Sequence, residues 1–72
     1  MKLKVTGVRY WETRNGVGYQ ATTNVDGDIW NDGDGGGTYF IGKTREANAI
    51  GRAFDEFELD ELIDVYEAKA LF

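Results

Sequence analysis

One glycine-rich segment divides this chain into two parts that must fold differently. Residues 31–37 read Asn-Asp-Gly-Asp-Gly-Gly-Gly, and four glycines in seven positions cannot form a helix or a packed strand. The segment lies between two aromatic-rich runs, which predicts a loop between strands. Such a loop is either a long turn or a site at which backbone groups bind a ligand. Its residues alone leave both readings open.

The part of the chain before this loop predicts a β-meander. Apolar residues change from odd to even positions at residues 6–7, and this change of face predicts a β-bulge. Asn15-Gly16 predicts a tight hairpin of type I′, in which both central residues have positive φ. Asp26-Gly27 predicts the next turn. Apolar residues after the glycine-rich loop predict a short fourth strand or an extension of the third.

The part after the loop predicts helix. Thr44 can cap a first helix, and Gly51 inside that helix is explained by close packing on the sheet. Four apolar residues recur at helical spacing and are expected to face the sheet: Ala47, Ile50, Phe54 and Phe57. A break is expected between residues 55 and 60. The apolar face of a second helix is then Leu59, Leu62, Ile63 and Tyr66, and its outer face is Asp60, Glu61, Asp64 and Glu67.

Together these patterns predict one α+β domain over residues 1–72. A three- or four-stranded antiparallel β-meander over residues 2–42 is packed against one or two C-terminal helices over residues 44–70. A chain this short buries only about 60% of its unfolded surface. Because it has no Cys and no His, neither a disulfide nor a structural zinc site can stabilise it. A homodimer is one way to enlarge the core.

The composition argues against most catalytic sites. The chain lacks Ser, His and Cys, so the common acyl-transfer triads and the usual general base near neutral pH are missing. We therefore expect no enzyme, no catalytic residue and no cofactor. No apolar run approaches the roughly 20 residues that a membrane span needs, so we expect a soluble protein of the cytoplasm.

Net charge is −5, and its distribution favours a basic partner. Residues 55–72 carry seven acidic side chains against Lys69 alone. An acidic surface repels phosphate, so nucleic acid is not the expected partner. The basic residues of the first strands keep DNA binding open as an alternative: Lys2, Lys4, Arg9 and Arg14.

The Asp/Gly loop invites two ligand hypotheses. Asp32 and Asp34 match the opening of a calcium loop, but Lys43 stands at the twelfth position, where a bidentate Glu is required. We therefore expect no metal site, with an irregular cluster of Asp26, Asp28, Asp32 and Asp34 as the remaining alternative. A small anion such as a nucleotide signal is the second hypothesis. The backbone of Gly33, Gly35 and Gly36 would bind it.

Exposed aromatics and carboxylates point instead to a protein partner. In the adjacent pairs Tyr10-Trp11 and Tyr39-Phe40, one residue of each faces the core and the other is partly exposed. An exposed Trp or Tyr beside acidic groups is typical of a binding hot spot. The expected partner-binding residues are Trp30, Asp32, Asp34 and Tyr39 around the loop, and Asp60, Asp64 and Glu67 on the second helix.

Two motifs together resemble a signature of small bacteriophage and prophage proteins. There, an Arg-Gly-Val-x-Tyr hairpin precedes an Asn-Asp-Gly-x-Gly-Gly turn and an acidic C-terminal helix. Here residues 14–19 read Arg-Asn-Gly-Val-Gly-Tyr, so Asn15 lengthens the first turn. The resemblance implies host takeover or anti-defence: a small acidic accessory protein, in the host cytoplasm, that binds and inhibits or modulates a host protein with a basic surface.

A second resemblance concerns the helix start. Residues 43–47, Lys-Thr-Arg-Glu-Ala, are similar to the start of the helix in AP2-like arm domains of phage integrases. That family implies three strands and a helix, with basic sheet residues that read DNA. The acidity of this chain disagrees with that activity.

Overall fold

A computed structural model describes residues 3–70, so Lys2 and the predicted sheet start at residue 2 lie outside the described residues. Four strands precede two helices: β1 (Val5–Thr13), β2 (Gly16–Thr23), β3 (Gly27–Asn31), β4 (Tyr39–Gly42), α1 (Arg45–Gly51) and α2 (Glu56–Ala70). The strands lie in one antiparallel sheet in the order β1-β2-β3-β4. The predicted α+β meander is confirmed, with four strands and both helices.

The first hairpin is where the sequence predicts it, but its turn geometry differs. The β-bulge between Val5 and Gly7 is confirmed. Thr13 pairs with Gly16, so residues 14–15 form the turn. Every positive φ within residues 3–70 belongs to a glycine, and Gly16 has a φ of 153°. The predicted type I′ turn is therefore wrong, because Gly16 adopts the unusual conformation and residue 15 keeps a negative φ.

One face of the sheet forms the core with the helices. Cross-strand pairing places Val8, Ala21, Ile29 and Phe40 in one row on this face. The buried core cluster joins that row to α2, and it consists of Leu3, Val5, Ala21, Ile29, Leu59 and Ile63. Leu62 and Tyr66 pack against the cluster, which confirms the predicted apolar face of α2.

Helix α1 begins as predicted. The backbone N–H of Ala47 donates to Thr44 Oγ1 over 3.0 Å, which confirms Thr44 as the cap. Gly51 lies directly against the ring of Phe40, so the close packing expected at this glycine is also confirmed. Phe57 is 75% exposed, and its predicted place on the sheet is wrong. The chain turns between the helices, which interrupts the helical period before residue 57 is reached.

Helix α2 begins earlier than expected. Asp55 Oδ1 accepts from the N–H of Glu58 over 2.8 Å, and Glu58 Oε1 accepts from the N–H of Asp55 over 3.1 Å. This reciprocal pair is a capping box, which satisfies two backbone donors at the helix start. The break therefore occupies residues 52–55 and not a position between 55 and 60.

The predicted outer face of α2 is partly wrong. Asp60 and Glu67 each accept a hydrogen bond from a tyrosine of the sheet. Glu61 and Asp64 are exposed, as predicted. Tyrosine is long enough to carry its hydroxyl to the edge of the helix, so the side of α2 that touches the sheet is wider than its apolar stripe.

Replacing Gly51 by Ala tests the helix–sheet contact. In an exposed helix this exchange stabilises by up to about 1 kcal/mol. Here the new Cβ would overlap the Phe40 ring. We expect a loss of about 1–3 kcal/mol in the free energy of unfolding, measured by urea denaturation. Ala49→Gly, at an exposed α1 position, is the control and should cost about 1 kcal/mol. A stabilised Gly51→Ala protein would contradict the contact.

Candidate functional site

The sheet face opposite the helices carries a row of large side chains. Register places Arg9, Gln20, Trp30 and Tyr39 side by side across β1, β2, β3 and β4. Trp11 and Asp28 lie on the same face, and so does Ile41, which pairs with Asp28. We call this surface the open face; its members are Arg9, Trp11, Gln20, Asp28, Trp30, Tyr39 and Ile41.

Aromatic rings form the centre of the open face. The rings of Trp11 and Trp30 lie 6.0 Å apart between centroids and are tilted by 59°. Gly18, the cross-strand partner of Trp11, makes this arrangement possible: a Cβ there would lie 2.6 Å from Trp11 Nε1. Tyr39 is 40% exposed and Ile41 46% exposed, so the apolar surface continues to the edge strand β4.

The polar groups of the open face bond to one another. Arg9 Nε donates to Gln20 Oε1 over 2.6 Å, and Gln20 Nε2 donates to Asp28 Oδ2 over 2.9 Å. The Arg9 guanidinium also lies 5.9 Å from the centroid of the Trp11 ring. One cation and one anion joined through an amide leave this part of the surface close to neutral.

Carboxylates stand beside the open face where β3 ends. Tyr39 donates to Asp32 over 3.3 Å, and partial desolvation together with the Asp32 charge raises the pKa of Tyr39. Asp34 is exposed and accepts from Asn15 Nδ2 over 3.5 Å. The structure thus brings together three predicted site residues, Trp30, Asp32 and Tyr39, with Asp34 in the adjoining loop.

The glycine-rich loop is packed at one point and open at another. Gly33 has a φ of 81°, and a Cβ there would lie 2.7 Å from the backbone nitrogen of Gly18. The Thr13 hydroxyl lies 3.3 Å from the Gly33 carbonyl oxygen, to which it can donate. Gly35 and Gly36 have only open space where a Cβ would lie. Gly33 is therefore needed for packing, whereas ligand binding by this backbone stays a prediction.

A polar cluster on the covered face holds α2 to the sheet. Asp60 Oδ1 accepts from the hydroxyls of Tyr19 and Thr38, the latter over 2.7 Å, and Asn31 Nδ2 donates to Thr38 over 3.2 Å. Thr38 is only 7% exposed. Burial and the bond to Asp60 raise the pKa of Tyr19. Sequence reasoning missed Thr38, although a tyrosine on a core face signals that its hydroxyl needs a buried partner.

A second tyrosine binds α2 further along. Tyr10 donates to Glu67 Oε1 over 2.5 Å. Partial burial and this hydrogen bond raise the pKa of Tyr10 to about 12. Asp60 and Glu67 therefore belong to the helix–sheet contact, on the opposite side of the sheet from Trp30 and Tyr39. The predicted partner-binding residues form two separate surfaces.

Charge is distributed unevenly between the segment that contains α2 and the rest of the described chain. Residues 3–54 carry six basic and six acidic side chains: Lys4, Arg9, Arg14, Lys43, Arg45 and Arg52 against Glu12, Asp26, Asp28, Asp32, Asp34 and Glu46. Residues 55–70, which contain α2, carry seven acidic groups against Lys69. The net negative charge is a property of the helix side, so the overall charge of −5 does not describe the open face.

Residues 3–70 contain neither a metal-binding cluster nor a membrane-spanning helix. No three acidic side chains in this part of the chain are grouped to hold a metal ion. Neither helix of this part of the chain is long and apolar enough to cross a membrane.

Comparison with protein-family models, curated proteins and solved structures found no match. The resemblance to phage accessory proteins and to integrase arm domains stays a prediction.

Replacing Thr38 by Val tests the polar cluster. The change keeps the side-chain volume and removes a hydroxyl that lies within hydrogen-bond distance of three side chains. We expect a loss of about 1–3 kcal/mol in the free energy of unfolding, because buried partners lose a hydrogen bond. The control is Thr22→Val, whose hydroxyl contacts Thr6 at the surface; its effect should stay within about 0.5 kcal/mol. Equal effects of the two changes would contradict a structural role for the cluster.

The raised pKa of Tyr10 predicts a pH dependence of stability. The Tyr10 pKa rises from 10.0 to about 12 on folding, so the folded protein retains a proton that the unfolded chain loses first. The resulting stabilisation is complete below pH 10 and is lost as pH rises through about 12. Urea unfolding across this range should therefore show a shallower decline for Tyr10→Phe than for the parent. Parallel declines would contradict the assignment.

Proposed function

We propose that this chain is a small non-catalytic accessory protein of phage type that binds and modulates a bacterial host protein through the open face. The observation that supports this is the aromatic centre of that face, formed by Trp11, Trp30 and Tyr39. Both tryptophans of the chain lie there, opposite the core. Trp and Tyr are the residues most enriched at binding hot spots.

Leaving this aromatic surface in water is unfavourable. Aromatic side chains bury large areas and dominate both cores and interfaces. Phe40 uses its ring in the core, whereas the neighbouring Tyr39 and Ile41 remain 40% and 46% exposed. An apolar surface bordered by carboxylates such as Asp32 is typical of an interaction site in a soluble domain.

Charge supports a basic surface on the partner. Asp32 and Asp34 lie beside the open face and can pair with cations directly. The acidic groups of α2 act at longer range, where they increase the rate of encounter with a basic protein. The two surfaces predicted from the sequence would then contribute to the same interaction in different ways.

The role that we propose is non-catalytic because the open face has no group arranged as a nucleophile or base. Its polar side chains Arg9, Gln20 and Asp28 bond to one another. The pKa of Tyr39 is raised, so its hydroxyl stays protonated at neutral pH. These properties fit a surface that binds a partner protein better than one that catalyses a reaction.

DNA binding is the second candidate, as the resemblance to AP2-like domains implies. One observation favours it: the net negative charge belongs to the helix side, and Arg9 lies on the open face. Only this one cation lies among the open-face residues, and it is bonded to Gln20. Phosphate neutralisation dominates DNA affinity, so a protein partner is better supported. A gel shift at low salt separates the two.

Variants of the two surfaces test the proposal. The parent protein is used to capture a partner from bacterial lysate, and binding of the purified partner is followed by surface plasmon resonance. Trp30→Ala and the pair Asp32→Lys with Asp34→Lys should raise the dissociation rate about tenfold or more. The matched pair Glu61→Lys with Asp64→Lys has the same charge change on α2. It should slow association without changing dissociation.

Two outcomes would contradict the proposal. Loss of binding in the α2 pair alone would place the contact on the helix. Binding that survives every open-face variant would exclude the open face. Reversal of Asp60 and Glu67 is unsuitable as a test, because both carboxylates bond to the sheet and their loss would disturb the fold.

A further inference from the structure

The tryptophans of the open face each present an indole N–H without a partner. Within residues 3–70, neither Trp11 Nε1 nor Trp30 Nε1 donates a hydrogen bond to another group of the protein. A buried indole N–H usually finds an acceptor. Trp11 and Trp30 are partly exposed, and no buried side-chain donor within residues 3–70 lacks a partner, so these two N–H groups face water. A ligand that covers them has to bring acceptors of its own.

The arrangement of the rings indicates the shape of that ligand. Trp11 and Trp30 are tilted by 59° with 6.0 Å between their ring centroids, so the two rings pack against each other and form an uneven aromatic surface and not a flat platform. Tyr39 extends the aromatic row by one strand. From β1 to β4 the row spans three strand spacings, about 14 Å. A polyproline II segment rises about 3.1 Å per residue, so roughly five residues cover this distance.

Charge around the two tryptophans indicates the composition of the ligand. Arg9 and Asp28 are both bonded to Gln20, which leaves the middle of the open face close to neutral. Asp32 and Asp34 are exposed beside it. The complementary ligand is an uncharged apolar stretch with a cation at one end.

We propose that the open face binds a proline-rich segment of the partner in the polyproline II conformation, ending in Arg or Lys. This rests on the proposed function, since it names the part of the partner that the open face contacts. Pyrrolidine rings pack on the exposed sides of the Trp11 and Trp30 rings. Backbone carbonyls accept from the indole N–H groups, because a polyproline II helix has no internal hydrogen bonds. The terminal cation pairs with Asp32 and Asp34.

Other occupants fit the same surface less well. A second copy of this chain would need an interface of about 800 Å² on each side. The aromatic row is about 14 Å long and two residue steps, or about 7 Å, wide, which gives an area of roughly 100 Å². Single-stranded nucleic acid stacks on aromatic rings but needs cations along its backbone, and Arg9 is already bonded. An extended strand would pair with the backbone of an edge strand, β1 or β4, and would therefore lie beside the aromatic row and not across it.

Peptide titration of the full chain tests the proposal. The probe is a peptide of ten prolines followed by two arginines, titrated into ¹⁵N-labelled protein. The indole N–H resonances of Trp11 and Trp30 should shift, with a dissociation constant below about 1 mM. Ten prolines alone should bind several-fold more weakly. Five Gly-Ser repeats followed by two arginines carry the same charge without polyproline structure and should leave both indole resonances in place.

Variants separate the aromatic and charged contributions. Trp30→Ala should lower the affinity for the arginine-bearing proline peptide about tenfold or more. Phe57→Ala, at an exposed aromatic on the opposite side, should leave it unchanged. Asp32→Lys with Asp34→Lys should abolish the preference for the arginine-bearing peptide. Should Trp30→Ala unfold, the indole shifts of the parent protein still decide the matter.

Several results would overturn the inference. They are indole resonances that do not move, equal binding of the Gly-Ser peptide, shifts confined to α2, or shifts caused by oligothymidine and not by the proline peptide. An inert proline peptide, together with a host protein whose capture depends on Trp30, overturns this inference and leaves the proposed function standing. Peptide binding, together with a host protein that ignores every open-face change, supports polyproline II binding by the open face but overturns the proposed function and the assignment of the proline-rich segment to that partner.

Discussion

The packing of α2 on one face of the sheet is the constraint on which the rest of the structure depends. Ile29 and Leu59 are the largest side chains with almost no exposure, and they belong to the same buried cluster. Ala21 is fully buried and belongs to the same cluster. A chain of 72 residues has enough helix to cover only one face of a four-stranded sheet. The aromatic residues of the other face must therefore pack on one another or on a partner.

The same packing explains why the acidic helix has structural as well as solvated carboxylates. Burial of Leu59 and Ile63 brings the neighbouring edge of α2 over β1 and β2, where Tyr10 and Tyr19 present hydroxyls. A tyrosine on a core face needs a polar partner, and a carboxylate at the helix edge provides it. The raised pKa of each hydroxyl follows from this pairing and from burial. Acidity on this helix is thus partly a means of fixing its position.

Local patterns predicted much of the fold, whereas the site depended on register. Alternation predicted the strands and placed Tyr39 and Phe40 on opposite faces, and spacing predicted the cap at Thr44. The misplacement of Phe57 arose because helical period says which residues share a face but not where a helix stops. Trp11 was missed as a site residue, since its pairing with Gly18 and its contact with Trp30 exist only after three strands have aligned. Cross-strand register is a long-range property that no short motif contains.

Separation of charge and aromatic surface limits what each can do in recognition. The molecule is 18 Å across its shortest dimension, whereas charges are screened over about 8 Å at physiological ionic strength. On the proposed function, the carboxylates of α2 would therefore act mainly on a partner as it approaches and would contribute little to contacts on the opposite side. Selectivity at the open face would then come from the uneven aromatic surface of Trp11 and Trp30 and from Asp32 and Asp34, the carboxylates next to it. A partner selected by charge alone would bind α2, and only a partner that also covers the aromatic surface would have reason to use both tryptophans.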